Sequence, residues 1–175
     1  MSFRSDDPNP LRNEVFTRVF DAHWAAVRHH IEGVVGDEEE VTEIVSEVFL
    51  HAWSRLRPAR PPGRVWLLRA ADRRLRSRSR PSSMPNGAVD AVHSGVSGAD
   101  EQPGLTARLV VIRALGVLTP VQRRIIMLTY WDGLAVGEIA ELLRASESRV
   151  RKTLGVAQGH LRDELGLEGL MTGDD

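Results

Sequence analysis

The run LTPVQRRIIMLTYWDGLAVGEIAELLRASESRVRKTLGVAQGHL, from Leu118 to Leu161, leaves this chain few folds to adopt. Thr119-Pro120-Val121-Gln122 is a strong helix start. A threonine at the N-cap bonds the third backbone N–H of the helix, and a glutamine three residues on reaches back to the cap. Pro120 takes the first helical position, where its missing N–H costs nothing. Ile125, Ile126, Leu128 and Thr129 supply a buried face, and Asp132-Gly133 breaks the helix. A short second helix is predicted over Val136 to Leu143, with Ile139, Ala140 and Leu143 inward. The small Ala140 allows two helices to cross steeply. After the turn Arg144-Ala145-Ser146, a third helix capped by Ser146 places Val150, Leu154, Ala157 and Leu161 at steps of four, three and four, one stripe of a helix. Its opposite face carries Ser148, Arg151 and Lys152. A short helix, a tight turn and a second helix with a basic outer face describe a helix-turn-helix, whose second helix enters the DNA major groove. The competing reading is a plain helical hairpin with a solvated basic face. Agreement of spacing, small residue and caps favours the DNA-binding one.

The length of 175 residues fits one domain or two small ones, and a hydrophobic share of 42% supports a modest core. With no cysteine there is no disulfide framework and no thiolate zinc site. The opening MSFRSDDPNP has no apolar targeting segment, and no apolar run approaches a membrane span, so a cytoplasmic, soluble chain is expected. The net charge of −1 is segregated. Asp37 to Glu47 is acidic, whereas Arg55 to Arg80 holds ten arginines against one acid, Asp72. Separate surfaces for separate partners are implied.

Residues 1 to about 11 read as a disordered lead. From Asn13, the spacing of Val15, Phe16, Val19, Phe20, His23, Trp24, Val27 and Ile31 predicts a helix ending near Gly33. Asp37 caps a second helix, Glu38 to Arg57, with Val41, Ile44, Val45, Val48, Phe49, Ala52, Trp53 and Leu56 on one stripe. Arg57 to Gly63 is a proline-rich loop. A third helix from Arg64 buries Trp66, Leu67, Ala70, Ala71 and Leu75, with arginines radiating from the rest. The serine-, glycine- and proline-rich stretch 79–104 reads as a flexible linker. The expected fold is therefore all-α: two small helical domains, 12–78 and 105–166, joined by that linker, the second holding the helix-turn-helix.

Two pairs of segments, in this order, carry a family resemblance. Glu47-Val48-Phe49-Leu50-His51-Ala52-Trp53 is followed by Trp66-Leu67-Leu68-Arg69-Ala70-Ala71; then come Leu118-Thr119-Pro120 and Gly137-Glu138-Ile139-Ala140-Glu141-Leu142-Leu143. The chain resembles bacterial RNA polymerase sigma factors of the extracytoplasmic-function group over most of residues 13–165. That resemblance implies a subunit that docks on RNA polymerase core and directs it to promoter DNA, with an anti-sigma factor as a further partner. It implies no enzyme activity, catalytic residue, cofactor, metal, membrane or small-molecule substrate. Glu43, Ser46, Glu47 and Leu50 would meet the polymerase. Arg64, Arg69, Arg73, Arg74 and Arg76 would meet the minus-ten element, and Ser146, Ser148, Arg149, Arg151 and Lys152 the minus-thirty-five element.

The chain departs from the family pattern at Ser46 (usually Gln), Arg73 (Asn), Arg144 (Gly) and Arg149 (Thr). Loop 57–63 also lacks an aromatic where the family captures an unstacked base. These departures keep open a sigma-like regulator that binds polymerase or an anti-sigma partner without opening DNA. A free-standing helix-turn-helix regulator is disfavoured, because one module with near-neutral net charge makes few phosphate contacts. The six histidines form no metal-ligand spacing, and there is no phosphate loop, nucleophile elbow or HExxH motif. Lone histidines on helices are read as surface or interface residues.

Overall fold

Helices form where sequence caps and apolar stripes coincide, and the computed structural model, which describes residues 9–78 and 112–166, shows both. Helix α1 (Pro10–Glu32) begins earlier than its apolar periodicity suggests. The Asn9 side chain accepts the Arg12 backbone N–H at 3.1 Å and Pro10 opens the first turn, so Pro10 and Leu11 are helical rather than part of a loose lead. Periodicity marks a buried face; caps mark the ends. Helix α2 (Glu38–Arg55) starts as expected, with Asp37 accepting the Glu40 N–H at 2.8 Å. It stops at Arg55 rather than Arg57, because Leu56 turns extended and is itself buried at the loop entrance. Helix α3 (Arg64–Arg78) follows the proline loop.

These three helices pack as a bundle around Val27, Ile31, Ile44, Val48, Leu67 and Leu68, none more than 0% exposed. Each such side chain contributes about 1.5–3 kcal/mol. The α2 stripe is buried as its spacing predicts, except that Trp53 is only half-buried. On α1, however, Phe20 and Trp24 lie partly in solvent, and His30 is buried instead. Phe16 and Phe20 meet Phe49 edge-on at centroid distances of 6.4 and 4.8 Å, fixing α1 on α2.

In the C-terminal half a helical stretch over 112–116 leads to α4 (Pro120–Ile126). Its capping box is complete: Gln122 N–H to Thr119 Oγ1 at 3.3 Å and Thr119 N–H to Gln122 Oε1 at 2.9 Å. The helix does not run straight to Asp132-Gly133. Met127–Trp131 widens into a π segment, closed by the Asp132 N–H on the Met127 carbonyl at 3.1 Å. Gly133, at φ +62, turns the chain into α5 (Val136–Leu143). On α5, Ile139, Ala140 and Leu142 are buried while Leu143 is only half-buried, a one-residue correction to the predicted face. Arg144 then adopts φ 53, the left-handed region, where a glycine is ordinarily found. Helix α6 (Glu147–Leu165) is capped by Ser146, buries Val150 and Ala157, and ends on Gly166.

The expected linker, 79–104, lies outside the described residues. The two bundles share one continuous apolar core, in which Ile125, Leu128, Leu134, Ile139, Leu142 and Val150 join the residues of α1–α3. The principal element contact between them is α3 against α5.

Gly155 and Gly159 lie inside α6, and a Cβ at either meets no atom within 4 Å. Changing both to alanine is expected to raise stability by about 1 kcal/mol each, by reducing the freedom of the unfolded chain. A rise of about 2–4 °C in Tm per kcal/mol should be seen in a thermal melt.

Candidate nucleic-acid and polymerase interface

The orientation of α6 follows from what it buries. With Val150 and Ala157 fully buried, the outer side falls to Ser148, Arg149, Arg151 and Lys152, all exposed. Ser146 opens the helix and accepts the Arg149 N–H at 3.2 Å, so its hydroxyl is committed to capping. Arg151 donates to Glu147 at 2.5 Å, one turn earlier. Both partners are solvent-exposed, and such pairs exchange readily for a phosphate or a base edge. The N-terminal turn of α6 thus presents a backbone dipole, a serine and three cations on one open surface.

The arginines of α3 divide into two groups. Arg73 and Arg76 are exposed, and Arg74 stands half-buried 3.7 Å from Glu47. Arg64 and Arg69 instead reach across to the C-terminal half. Arg64 donates to the Asp132 carbonyl, and Arg69 to the Glu141 carbonyl at 2.7 Å. The arginines therefore do not all radiate into solvent. A cleft of about 390 Å³ collects Arg69, Arg73 and Arg76 from α3 with Arg124 and Arg144 from the other half, against Asp72.

The expected polymerase-facing residues lie on the outer side of α2. Leu50 is 67% exposed, and Ser46 is exposed with its hydroxyl donating to the Thr42 carbonyl at 2.8 Å. Glu43 and Glu47 each accept from Arg78 at 2.9 Å, tying α2 to α3. The Arg78 hydrogen bond, with its positive charge, holds the Glu43 carboxyl below its ordinary range. His51 stacks on Trp66 with ring centroids 5.5 Å apart. Partial burial, then the charges of Arg55, Arg74 and Arg73, push its pKa down.

Sequence reasoning missed the seam between the halves. His30, 6% exposed, sits between two carboxylates: Nδ1 is 3.1 Å from Asp132 Oδ2 and Nε2 is 3.0 Å from Asp72 Oδ1. Asp72 also accepts from Arg124 at 2.5 Å. Burial opposes charge on His30, but the hydrogen bonds and negative charges of Asp132 and Asp72 prevail and raise its pKa to about 9. Burial would raise the Asp72 carboxyl, yet the His30 hydrogen bond and the charges of Arg124, His30 and Arg76 hold it below its ordinary value. Next to this triad, His29 stacks on Trp131 at 4.4 Å, and the Trp131 indole N–H donates to the His29 carbonyl at 3.1 Å. The one available sequence signal was Asp72 itself, the lone acid in an arginine run. A cavity of about 470 Å³ lies alongside, lined by His30, Trp131 and Asp132 and by Arg149, Val150 and Thr153 of α6.

Among the described residues no helix is long and apolar enough to cross a membrane. The family model "Sigma-70, region 4" matches residues 108–157, which contain the helix-turn-helix. The chain is 27% identical over 158 residues to the ECF RNA polymerase sigma factor SigL of Mycobacterium tuberculosis, covering 85% of this chain and 89% of that one. It is 28% identical over 163 residues to the ECF RNA polymerase sigma factor SigK of Mycolicibacterium vanbaalenii, covering 88% and 83%. Its fold is similar to that of CnrH, solved in complex with the cytosolic domain of CnrY (TM-score 0.60, 22% identity, 90% of this chain and 96% of that one). It is also similar to Bartonella quintana RpoE, solved with the anti-sigma factor NepR (TM-score 0.57, 18% identity, 86% and 96%). Over most of its length the chain is thus similar in sequence to extracytoplasmic-function RNA polymerase sigma factors, and residues 108–157 match the sigma-70 region 4 model.

Proposed function

We propose that this protein is a sigma factor that binds RNA polymerase core and directs promoter-specific transcription initiation, with no covalent chemistry of its own. The observation that carries this reading is the outer face of α6, where Ser148, Arg149, Arg151 and Lys152 stand exposed on a helix locked by Val150 and Ala157. In this reading residues 105–166 recognise the minus-thirty-five element through that face. Residues 12–78 bind polymerase through Glu43, Ser46, Glu47 and Leu50, and the minus-ten element through Arg64, Arg69, Arg73, Arg74 and Arg76. Residues 79–104 tether the two. An anti-sigma factor is the expected regulatory partner.

Run-off transcription with core polymerase on fragments of the native genome tests the proposal; no promoter-specific transcript from any fragment would reject it. Permanganate reactivity of the same complexes separates it from a regulator that binds polymerase without opening DNA. Arg151→Ala and Lys152→Ala are each expected to weaken upstream-element binding by about 1–3 kcal/mol if the contact is to a base. Gel-shift titrations at fixed salt measure that loss, and unchanged promoter choice and strength in Arg151→Ala would show that the recognition face is assigned wrongly.

A further inference from the structure

We infer that His30, held between Asp72 and Asp132, is a latch that keeps the free protein closed, with Arg64 and Arg69 of α3 occupied by its own C-terminal half, so that engagement of promoter DNA through those two arginines requires the latch to open. The gating part rests on the proposed function; the latch itself rests on geometry.

A neutral imidazole has one N–H and can donate to only one of two flanking carboxylates, leaving its other nitrogen lone pair against an anion. With both ring nitrogens at 3.0–3.1 Å from carboxylate oxygens, the arrangement is satisfied by the imidazolium, which donates twice. The three side chains come from α1, from α3 and from the turn after the π segment, so a single proton ties the two halves together. The neighbouring charges are Asp72, Arg64 and Arg76 on α3, Arg124 on α4, Asp132, and His29 on α1 itself.

The closed seam also carries costs that make it reversible. The Nε atoms of Arg64, Arg69 and Arg124 are buried there with no hydrogen-bond partner. Buried polar atoms left unpaired favour any state that exposes them. Five arginines crowd the cleft beside α3 against Asp72, and like charges so gathered repel. Opening would relieve both costs and free Arg64 and Arg69 for phosphates. The latch opposes it, together with the apolar core that the halves share. Sensitivity to pH follows in sign: a proton bound more tightly in the closed form holds it shut at neutral pH and releases it as pH rises through about 9.

The chain has no cysteine, so Ala25→Cys and His160→Cys at exposed positions on either half allow a donor–acceptor pair to be attached to the full-length protein. At pH 7 the otherwise unaltered protein should show a dominant high-transfer population. Asp132→Asn and His30→Gln should shift most molecules to low transfer with unchanged helical circular dichroism, and the unaltered protein should do the same between pH 7 and 10. Transfer that stays high in both variants and across that pH range overturns the latch. Should a variant lose helicity, the pH series on the unaltered protein decides alone. Binding of a labelled minus-ten promoter duplex, read by anisotropy, should tighten about tenfold in Asp132→Asn if nine molecules in ten are closed. Opening by transfer without tighter DNA binding would overturn the gating while leaving the latch. No polymerase binding by any form would overturn the sigma reading instead.

Discussion

Val150→Asp is expected to unfold the C-terminal half. Val150 is 0% exposed and belongs to the core that runs through both bundles, where α6 meets the rest. A carboxylate there has two choices. It stays ionised without a partner, or it takes up a proton and still forfeits the apolar contacts of the valine. Either way the loss is about 4 kcal/mol or more, a large part of the 5–15 kcal/mol, roughly, that holds a domain folded. A thermal melt followed by circular dichroism should show the transition lowered or gone, with upstream DNA binding lost alongside. Val150→Ala, which removes apolar contact but adds no charge, should cost only about 2 kcal/mol. By contrast, Arg151→Ala, one residue on and exposed, should leave the melt within about 0.5 kcal/mol of the parent while weakening DNA binding. That contrast separates a packing residue from a contact residue on the same helix turn.

Asp72→Ala is expected to be nearly as damaging, for an electrostatic reason. The substitution strips the His30 imidazolium of one of its two carboxylates and leaves Arg124 without its partner. Breaking a buried charged pair by removing one side costs about 3–5 kcal/mol, because the remaining charge stays desolvated. The Arg124 share is the smaller, since that side chain is 40% exposed and water screens it. The same network fixes the direction of the pH dependence. The His30 pKa is raised from 6.5 to about 9 in the folded protein. Its contribution to stability is therefore complete below 6.5, declines above it, and is gone once pH has passed through about 9. Urea midpoints measured from pH 6 to pH 10 should fall for the parent and stay nearly level for His30→Gln over that range. A parent midpoint that does not fall would show that His30 carries no proton in the fold.

Much of the secondary structure was legible because caps and stripes are local properties. Thr119 with Gln122, Asp37 before α2 and Ser146 before α6 are pairs separated by a few residues, and each forms the hydrogen bond its spacing permits. The stripe on α2 and the boundaries of α5 were equally plain. The π segment was not, since Met127 to Trp131 has ordinary helix formers and the widened turn pays off only through what Trp131 and Asp132 then touch on α1. His30 was hidden for a related reason. On its own helix it reads as a polar residue at the edge of an apolar face, and its partners lie 42 and 102 residues away.

The sequence by itself determined an all-helical chain and the side of α6 that must face outward, because burying Val150 and Ala157 leaves Arg151 and Lys152 nowhere else to go. Only the tertiary structure decided that the two halves share one core, that Arg64 and Arg69 lean on carbonyls of the opposite half, and that His30 stands between Asp72 and Asp132. The physical reason is one of range: helical periodicity and capping act over a few residues, whereas a buried charge is placed by groups that meet only when distant segments pack.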